Sequence, residues 1–303
     1  MGMSGEGVDS SFVAQAAERV DGVLVFSTDL KSRYGTVPEL GSTADLEIFH
    51  NAERGPGGPW APENVRRPYD ISGGLLLMAL GNYLRSLQLL LVPEMALYGF
   101  QVIARSIIEG AASAAWILDP AINIRDRVIR AALLEHESIL EARKVESAGG
   151  GDGSGYNKQI LELRTRLALM GIAEDLNRKS VLIGFEGKTL PPKTYAASGL
   201  LRLLDIDHGE MWYRAISGVA HSVLYGVTQY LTGEPIPGTN RATLKPRLPL
   251  DAVVGAVVLS INAYLFVIQR HSFLWGRDAA AVDMMRRATS LELINAAVVA
   301  KAS

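Results

Sequence analysis

The stretch LDAVVGAVVLSINAYLFVIQRHSFLW, Leu250 to Trp275, is apolar around nearly its whole circumference. A helix of that kind is either the centre of a large bundle or a membrane span. Residues 71–92 pose the same question, because both stretches approach the roughly 20 residues a bilayer requires. Yet residues 71–92 contain Asn82 and Arg85, and residues 250–269 contain Asp251, Ser260 and Asn262. Neither has the flanking basic loops that set an orientation. Both read as core helices, and the chain as an all-α protein without a membrane span.

Working outward, a three-to-four-residue apolar step dominates. Phe12, Ala16, Val20 and Val23 mark a first helix over residues 11–25. An irregular stretch follows, closing in GPGGPWAP (Gly55 to Pro62), too rich in Gly and Pro for a helix interior. Asp70 suits an N-cap for a helix from Ile71 to Leu91. Pro93 fits the first turn of the next, which ends at Leu118 before Asp119-Pro120. Ile124 to Glu146 is a charged amphipathic helix, and GGGDGSG (Gly149 to Gly155) a flexible break. Tyr156 to Met170 resumes helix, with Gly171 at the C-cap position. Residues 172–192 stay open, since SVLIGF could be a short strand and LPPK is loop. Thr194 to Leu204, Gly209 to Leu231, Leu250 to Trp275 and Ala279 to Lys301 complete the helices, with GEPIPGTN as a break. The expected architecture is a single large helical bundle with a loop-rich N-terminal segment. Residues 1–66 are its N-terminal helix and irregular part, packing on a bundle domain of residues 67–303.

Composition bounds the function. Of 303 residues 48% are hydrophobic and 20% charged, enough for a sizeable core. Thirty Lys and Arg against 32 Asp and Glu give a net charge of -2. This excludes a generally cationic nucleic-acid coat and leaves a local basic groove open. With no cysteine, disulfides, thiolate metal sites and Cys nucleophiles are excluded. The opening MGMSGEGVDSS lacks the basic and apolar regions of a secretory signal, so a cytoplasmic protein is expected.

Two helices carry chemistry-bearing residues. In GEMWYRAISGVAHSVLYGV (Gly209 to Val227), 100° per residue puts Arg214, Ser217, His221 and Tyr225 on one face. Trp212, Ile216, Val219 and Val223 take the other. The polar stripe contains neither Lys nor Glu, unlike an ordinary solvated face, so it reads either as a functional or buried network or as a face turned to water. In QVIARSIIEGAASAAW (Gln101 to Trp116), Arg105 and Glu109 are one turn apart and can pair, with Ser113 and Trp116 extending their face. The bland reading is a salt bridge holding the bundle in register. The sharper expectation is that Arg105, Glu109, Arg214 and His221 converge in one polar recess. Trp116, Trp212, Tyr213 and Tyr225 would then supply an aromatic lining.

The pairing of ARSIIEGAASAAWILDP with YRAISGVAHS resembles a group of uncharacterised helical proteins common in actinobacteria, in which an R-x-x-x-E helix precedes a Y-R-x-x-S-x-x-x-H helix. PYDISGGLLLMAL (Pro68 to Leu80) fits the same pattern, so the resemblance covers roughly residues 68–232. More distantly, Arg214 and His221, six residues between them, are similar to the R-x(4–6)-H motif of HEPN domains. These are all-α bundles that often act as metal-independent ribonucleases in toxin and defence systems. The resemblance implies a homodimer whose cleft brings two such helices together. Arg214 would hold the phosphate and His221 would shuttle a proton during attack by the RNA 2′-hydroxyl. Two departures stand against it: Ala215 follows the arginine where such nucleases often have a polar residue, and the chain is longer and less basic than small HEPN toxins.

Metal and nucleotide signatures are missing. No H-x-x-x-H pair occurs, and Asp205, Asp207, His208 and Glu210 lie between two helices, where capping is the expected job. Glu135, His136 and Glu137 diverge on a helix and cannot chelate together. GGGDGSG follows a helix and precedes no G-K-[ST], so it is neither a P-loop nor a Rossmann turn. No metal and no cofactor is expected. Three functions remain. The first is the HEPN-like ribonuclease using Arg214 and His221, with RNA as partner. The second is a small-molecule enzyme in which Arg105 or Arg214 anchors an anion, Glu109 or His221 acts as acid or base, and Ser217, Tyr213, Tyr225 and Trp116 contact the substrate. The third is a non-catalytic helical interaction module.

Overall fold

A computed structural model describes residues 10–34, 37–51, 58–91, 99–206, 209–221, 228, 231–238, 240–246 and 249–302. The chain is an all-α bundle. Its helices are α1 (Ser10–Tyr34), α2 (Thr43–His50), α3 (Pro62–Tyr69), α4 (Leu77–Leu90), α5 (Gly99–Ile117), α6 (Ile124–Ala148), α7 (Ser154–Leu169), α8 (Lys193–Leu203), α9 (Gly209–Ala220), α10 (Leu250–Leu274) and α11 (Ala279–Ala302). A π-helix, Asp70–Leu76, joins α3 to α4 without a break. Two antiparallel hairpins are added: β1 (Glu174–Leu176) with β2 (Leu182–Phe185), and β3 (Leu231–Pro235) with β4 (Ala242–Pro246).

Local chemistry explains several boundaries. The Asn123 side chain accepts from Asp126 N–H and caps α6. Gly171 adopts φ +69°, and Ile172 N–H turns back to the Leu167 carbonyl, closing α7 with a left-handed cap. Other boundaries differ from expectation. α1 runs on to Tyr34, and α2 and α3 occupy part of the supposedly irregular stretch. Ser42 caps α2 by accepting from Asp45 N–H, and Pro62 sits in the first turn of α3. The helix expected through Leu231 is corrected: α9 ends at Ala220, and Leu231 opens β3. The expected helix start at Pro93 lies outside the described residues.

α10 lies at the centre, packed against α11, α5, α4, α1 and α9. Among the described residues it alone is long and apolar enough to cross a membrane, and most of its length is covered by other helices. Several of its polar groups are matched inside the bundle. Asn262 donates to Val258 O and to Ser290 Oγ, and accepts from Arg286. Tyr264 donates to Ser27 on α1 at 2.9 Å.

The C-terminus of α5 is held by arginines. Arg270 donates to Ala115 O at 2.6 Å, Arg130 to Trp116 O at 2.6 Å and Arg127 to Ile117 O at 2.7 Å. Three consecutive carbonyls without helical partners thus each receive a cation, which the helix dipole also favours. Arg127 is completely buried and paired with Glu47, to which Tyr69 also donates at 2.6 Å. Burial first, then the Glu47 charge, pushes the Tyr69 hydroxyl far above its ordinary range. Glu47 and His50 have an E-x-x-H spacing on α2, but Glu47 is engaged by Arg127 and Tyr69, while His50 lies 3.9 Å from Asp45.

Candidate functional site

The π-helix follows from its sequence. Pro68 has no N–H to donate to the carbonyl four residues back, and Ser72 Oγ donates to the Pro68 carbonyl at 2.6 Å. Leu77 N–H then reaches five residues back to Ser72 O. Such insertions frequently mark functional sites. Here the widened turn forms the wall of a half-open groove of about 930 Å³.

The opposite wall comes from α6 and α7, and the floor is one stripe of α5: Ser106, Glu109, Gly110 and Ser113. These positions follow the i, i+3, i+4, i+7 spacing of a single helix face. Gly110 lets α4 approach, since a Cβ there would lie 3.0 Å from Leu80 Cδ2. Aliphatic side chains such as Leu75, Leu76, Ile139 and Leu163 supply most of the remaining surface.

Charge is concentrated in one bridge. Glu135 on α6 accepts from both Nε and Nη2 of Arg67 on α3, and from Nη2 of Arg166 on α7 at 2.8 Å. Burial raises the Glu135 carboxyl, but the two guanidiniums outweigh it and hold the group below the ordinary carboxylate range. One carboxylate against two arginines leaves a net positive charge facing the groove. Lys193 of α8 adds another cation to the lining, while Glu162 is 3.8 Å from Lys158.

Glu109 links the groove to a second network. Its Oε1 accepts from Arg105 Nε at 2.6 Å and from the Tyr213 hydroxyl at 3.0 Å. Both partners of the ion pair are more than four-fifths buried. Burial, and then the Glu109 charge, push the Tyr213 hydroxyl up to about 12. Thus α5 and α9 do meet through Arg105, Glu109 and Tyr213.

The expected four-residue recess is corrected. Tyr213 points into the core, so Arg214, one residue on, turns outward. Arg214 is 73% exposed and pairs with Glu210 on its own helix at 2.8 Å. His221 is exposed just beyond α9, its backbone N–H bonded to Ser217 O, and Ser217 is half-buried. Arg214, Ser217 and His221 therefore face outward rather than joining the Arg105–Glu109 pair. Trp116 is covered by the Arg130 guanidinium, 5.1 Å from its ring, and does not line the groove. Trp212 packs against Gly255 of α10. Tyr225 and His208 lie outside the described residues.

Sequence reasoning missed Arg67, Glu135 and Arg166, whose ion bridge spans 68 and 31 positions. Comparison with models of protein families, with curated proteins and with solved structures finds no match to this chain.

Proposed function

We propose that the protein binds a small amphipathic organic anion in the groove between the π-helix and α5, α6 and α7. One observation carries this reading: two guanidiniums share a single carboxylate at the edge of an otherwise mainly aliphatic hollow. Glu109 and Glu162 each have a cation outside the lining, Arg105 and Lys158, so the surplus positive charge belongs to Arg67, Arg166 and Lys193. A carboxylate head suits such a fork, and an apolar body suits the walls. The volume falls within the roughly 300–1,000 Å³ of ordinary ligand sites. In this reading Glu109 is the group that would exchange a proton with a bound molecule. The test is calorimetric titration with decanoate, with decylamine as the charge-reversed control. Saturable binding of decanoate alone, weakened about tenfold by Arg166→Gln, is expected. Equal heats for the two probes, or no binding of decanoate, would overturn it.

A second reading is favoured by the shared exposed face of Arg214 and His221 on and just beyond α9. A HEPN-like ribonuclease would need that face open to a second copy of the chain. Arg214 would then hold the RNA phosphate, and His221 would move the proton of the 2′-hydroxyl. Incubation with end-labelled RNA tests it. Cleavage abolished by His221→Ala supports the reading, and intact RNA at concentrations where the protein is dimeric rejects it.

A further inference from the structure

The bundle uses one face of α11. The helix packs on α10 and α1, and Val282, Thr289, Leu293 and Ala297 are buried. Its outward face is apolar as well. Met284, Leu291, Ile294 and Val298 are 66%, 60%, 47% and 61% exposed, and Ala288 is exposed between them. Single exposed apolar side chains are ordinary, but these stand in line along about 21 Å of one helix.

Their spacing is that of a coiled-coil seam. Met284, Ala288, Leu291, Asn295 and Val298 alternate steps of four and three residues. Ala288 and Asn295 then take the a positions of a heptad, and Met284, Leu291 and Val298 the d positions. Arg287 falls at g and Glu292 at e. A helix lying on a lipid surface is rich in Lys and Arg along its polar border, whereas one arginine and one glutamate border this seam.

Charge selects the partner and its direction. In a parallel pair, a g residue faces the e residue of the next heptad on the other helix. Arg287 therefore meets Glu292 of a second copy, and symmetry makes the contact twice. An antiparallel pair would set g against g and e against e, leaving both charges without an opposite. Asn295 supports the parallel register, because a lone polar residue at a is a register device and two facing amides can each donate and accept. Within one chain, Arg287 Nε donates to Asp283 at 2.7 Å and Glu292 lies 3.1 Å from Arg19. Arg287 and Glu292 nevertheless stay 74% and 50% exposed, and pairs of this kind yield easily.

We propose that α11 is the surface through which two copies of this chain associate, parallel and in register. The surface includes neither the groove residues nor Arg214 and His221, so it stands apart from both functional readings. One helix from each copy makes a small interface, which sets a reversible Kd on the order of 10 μM.

Sedimentation velocity of the full chain from about 1 to 300 μM reads the equilibrium. A monomer–dimer transition is expected, and Leu291→Lys should raise its Kd about a hundredfold by placing two like charges in the seam. Arg287→Glu should raise it about tenfold, and adding Glu292→Arg should restore it. The chain has no cysteine, so Val298→Cys gives a second readout. Parallel copies bring the two thiols together and form a disulfide under oxidised glutathione, whereas antiparallel copies hold them far apart along the seam. Leu161→Cys, equally exposed on α7, controls for random collision. Thermal melts report folding, and the cross-link decides alone if Leu291→Lys does not fold. A monomer at every concentration, a dimer unchanged in folded Leu291→Lys, or no more cross-linking at Val298→Cys than at Leu161→Cys would overturn the proposal. A monomer that floats with phosphatidylglycerol vesicles would assign the face to a lipid surface and overturn it too.

Discussion

Tyr213 on α9 donates its hydroxyl proton to Oε1 of Glu109 on α5, the same oxygen that accepts from Arg105. One carboxylate oxygen thus joins an intrahelical ion pair to a helix 104 positions away in the chain. The interaction is worth more than an exposed salt bridge because the acceptor is charged and the donor is buried.

Tyr213→Phe should therefore lower unfolding stability by about 1–2 kcal/mol, read from urea midpoints at neutral pH. It should also change the alkaline limb. The unfolded phenol loses its proton near 10, whereas the folded one keeps it to about 12. Between these values the native state holds more protons, so stability falls as pH rises. Tyr213→Phe should show a smaller loss over that interval. A residual slope is expected because burial also raises Tyr69 and Tyr264.

The Arg105–Glu109 contact was legible because four-residue spacing places both on one helix face whatever surrounds them. Gly171 was legible for the same reason, since a C-cap is local. The groove was not. Arg67, Glu135 and Arg166 come from three helices, and nothing in their local sequence states that one carboxylate serves two arginines. Angular position puts Arg214 and Ser217 of α9 on one face, but it does not say whether a face meets water or a neighbour. β3 and β4 escaped notice because the prolines and glycines of GEPIPGTN read as a break, although Gly233, Glu234 and Pro235 belong to β3.

Arg127 invites the harshest substitution. It is fully buried, pairs with Glu47 and donates to the Ile117, Asp119 and Ile122 carbonyls. Arg127→Leu would strand the Glu47 carboxylate and uncap α5, at a cost of about 3–5 kcal/mol in chemical denaturation. Arg127→Lys should recover only part, since one ammonium cannot reproduce the planar fork. Full recovery by lysine would show that charge, not the fork, holds the α5 terminus.

Glu135 predicts the acid limb. Its folded carboxyl is held below the ordinary value of 4.5, so the unfolded chain takes up the proton first as pH falls. The stability it contributes is complete above that value and is lost as pH drops through the folded one. The difference in urea midpoint between the wild type and Glu135→Gln should be constant near neutrality and shrink below the ordinary carboxylate range. The same variant releases Arg67 and Arg166, so decanoate should bind it more tightly than the wild type.

Gly73 and Gly74 are chain neighbours with opposite expectations. A Cβ at Gly73 meets the His271 ring, whereas one at Gly74 meets nothing within 4 Å. Gly73→Ala must move the imidazole or the π-helix, and overpacking of this kind costs about 1–3 kcal/mol. It should also alter tryptophan emission, because His271 is stacked on Trp275. Gly74→Ala removes backbone freedom from the unfolded chain without a clash, so a gain of about 0.4–1 kcal/mol is expected. Thermal melts of the two variants check the contrast. Equal effects would mean that His271 does not rest on the π-helix.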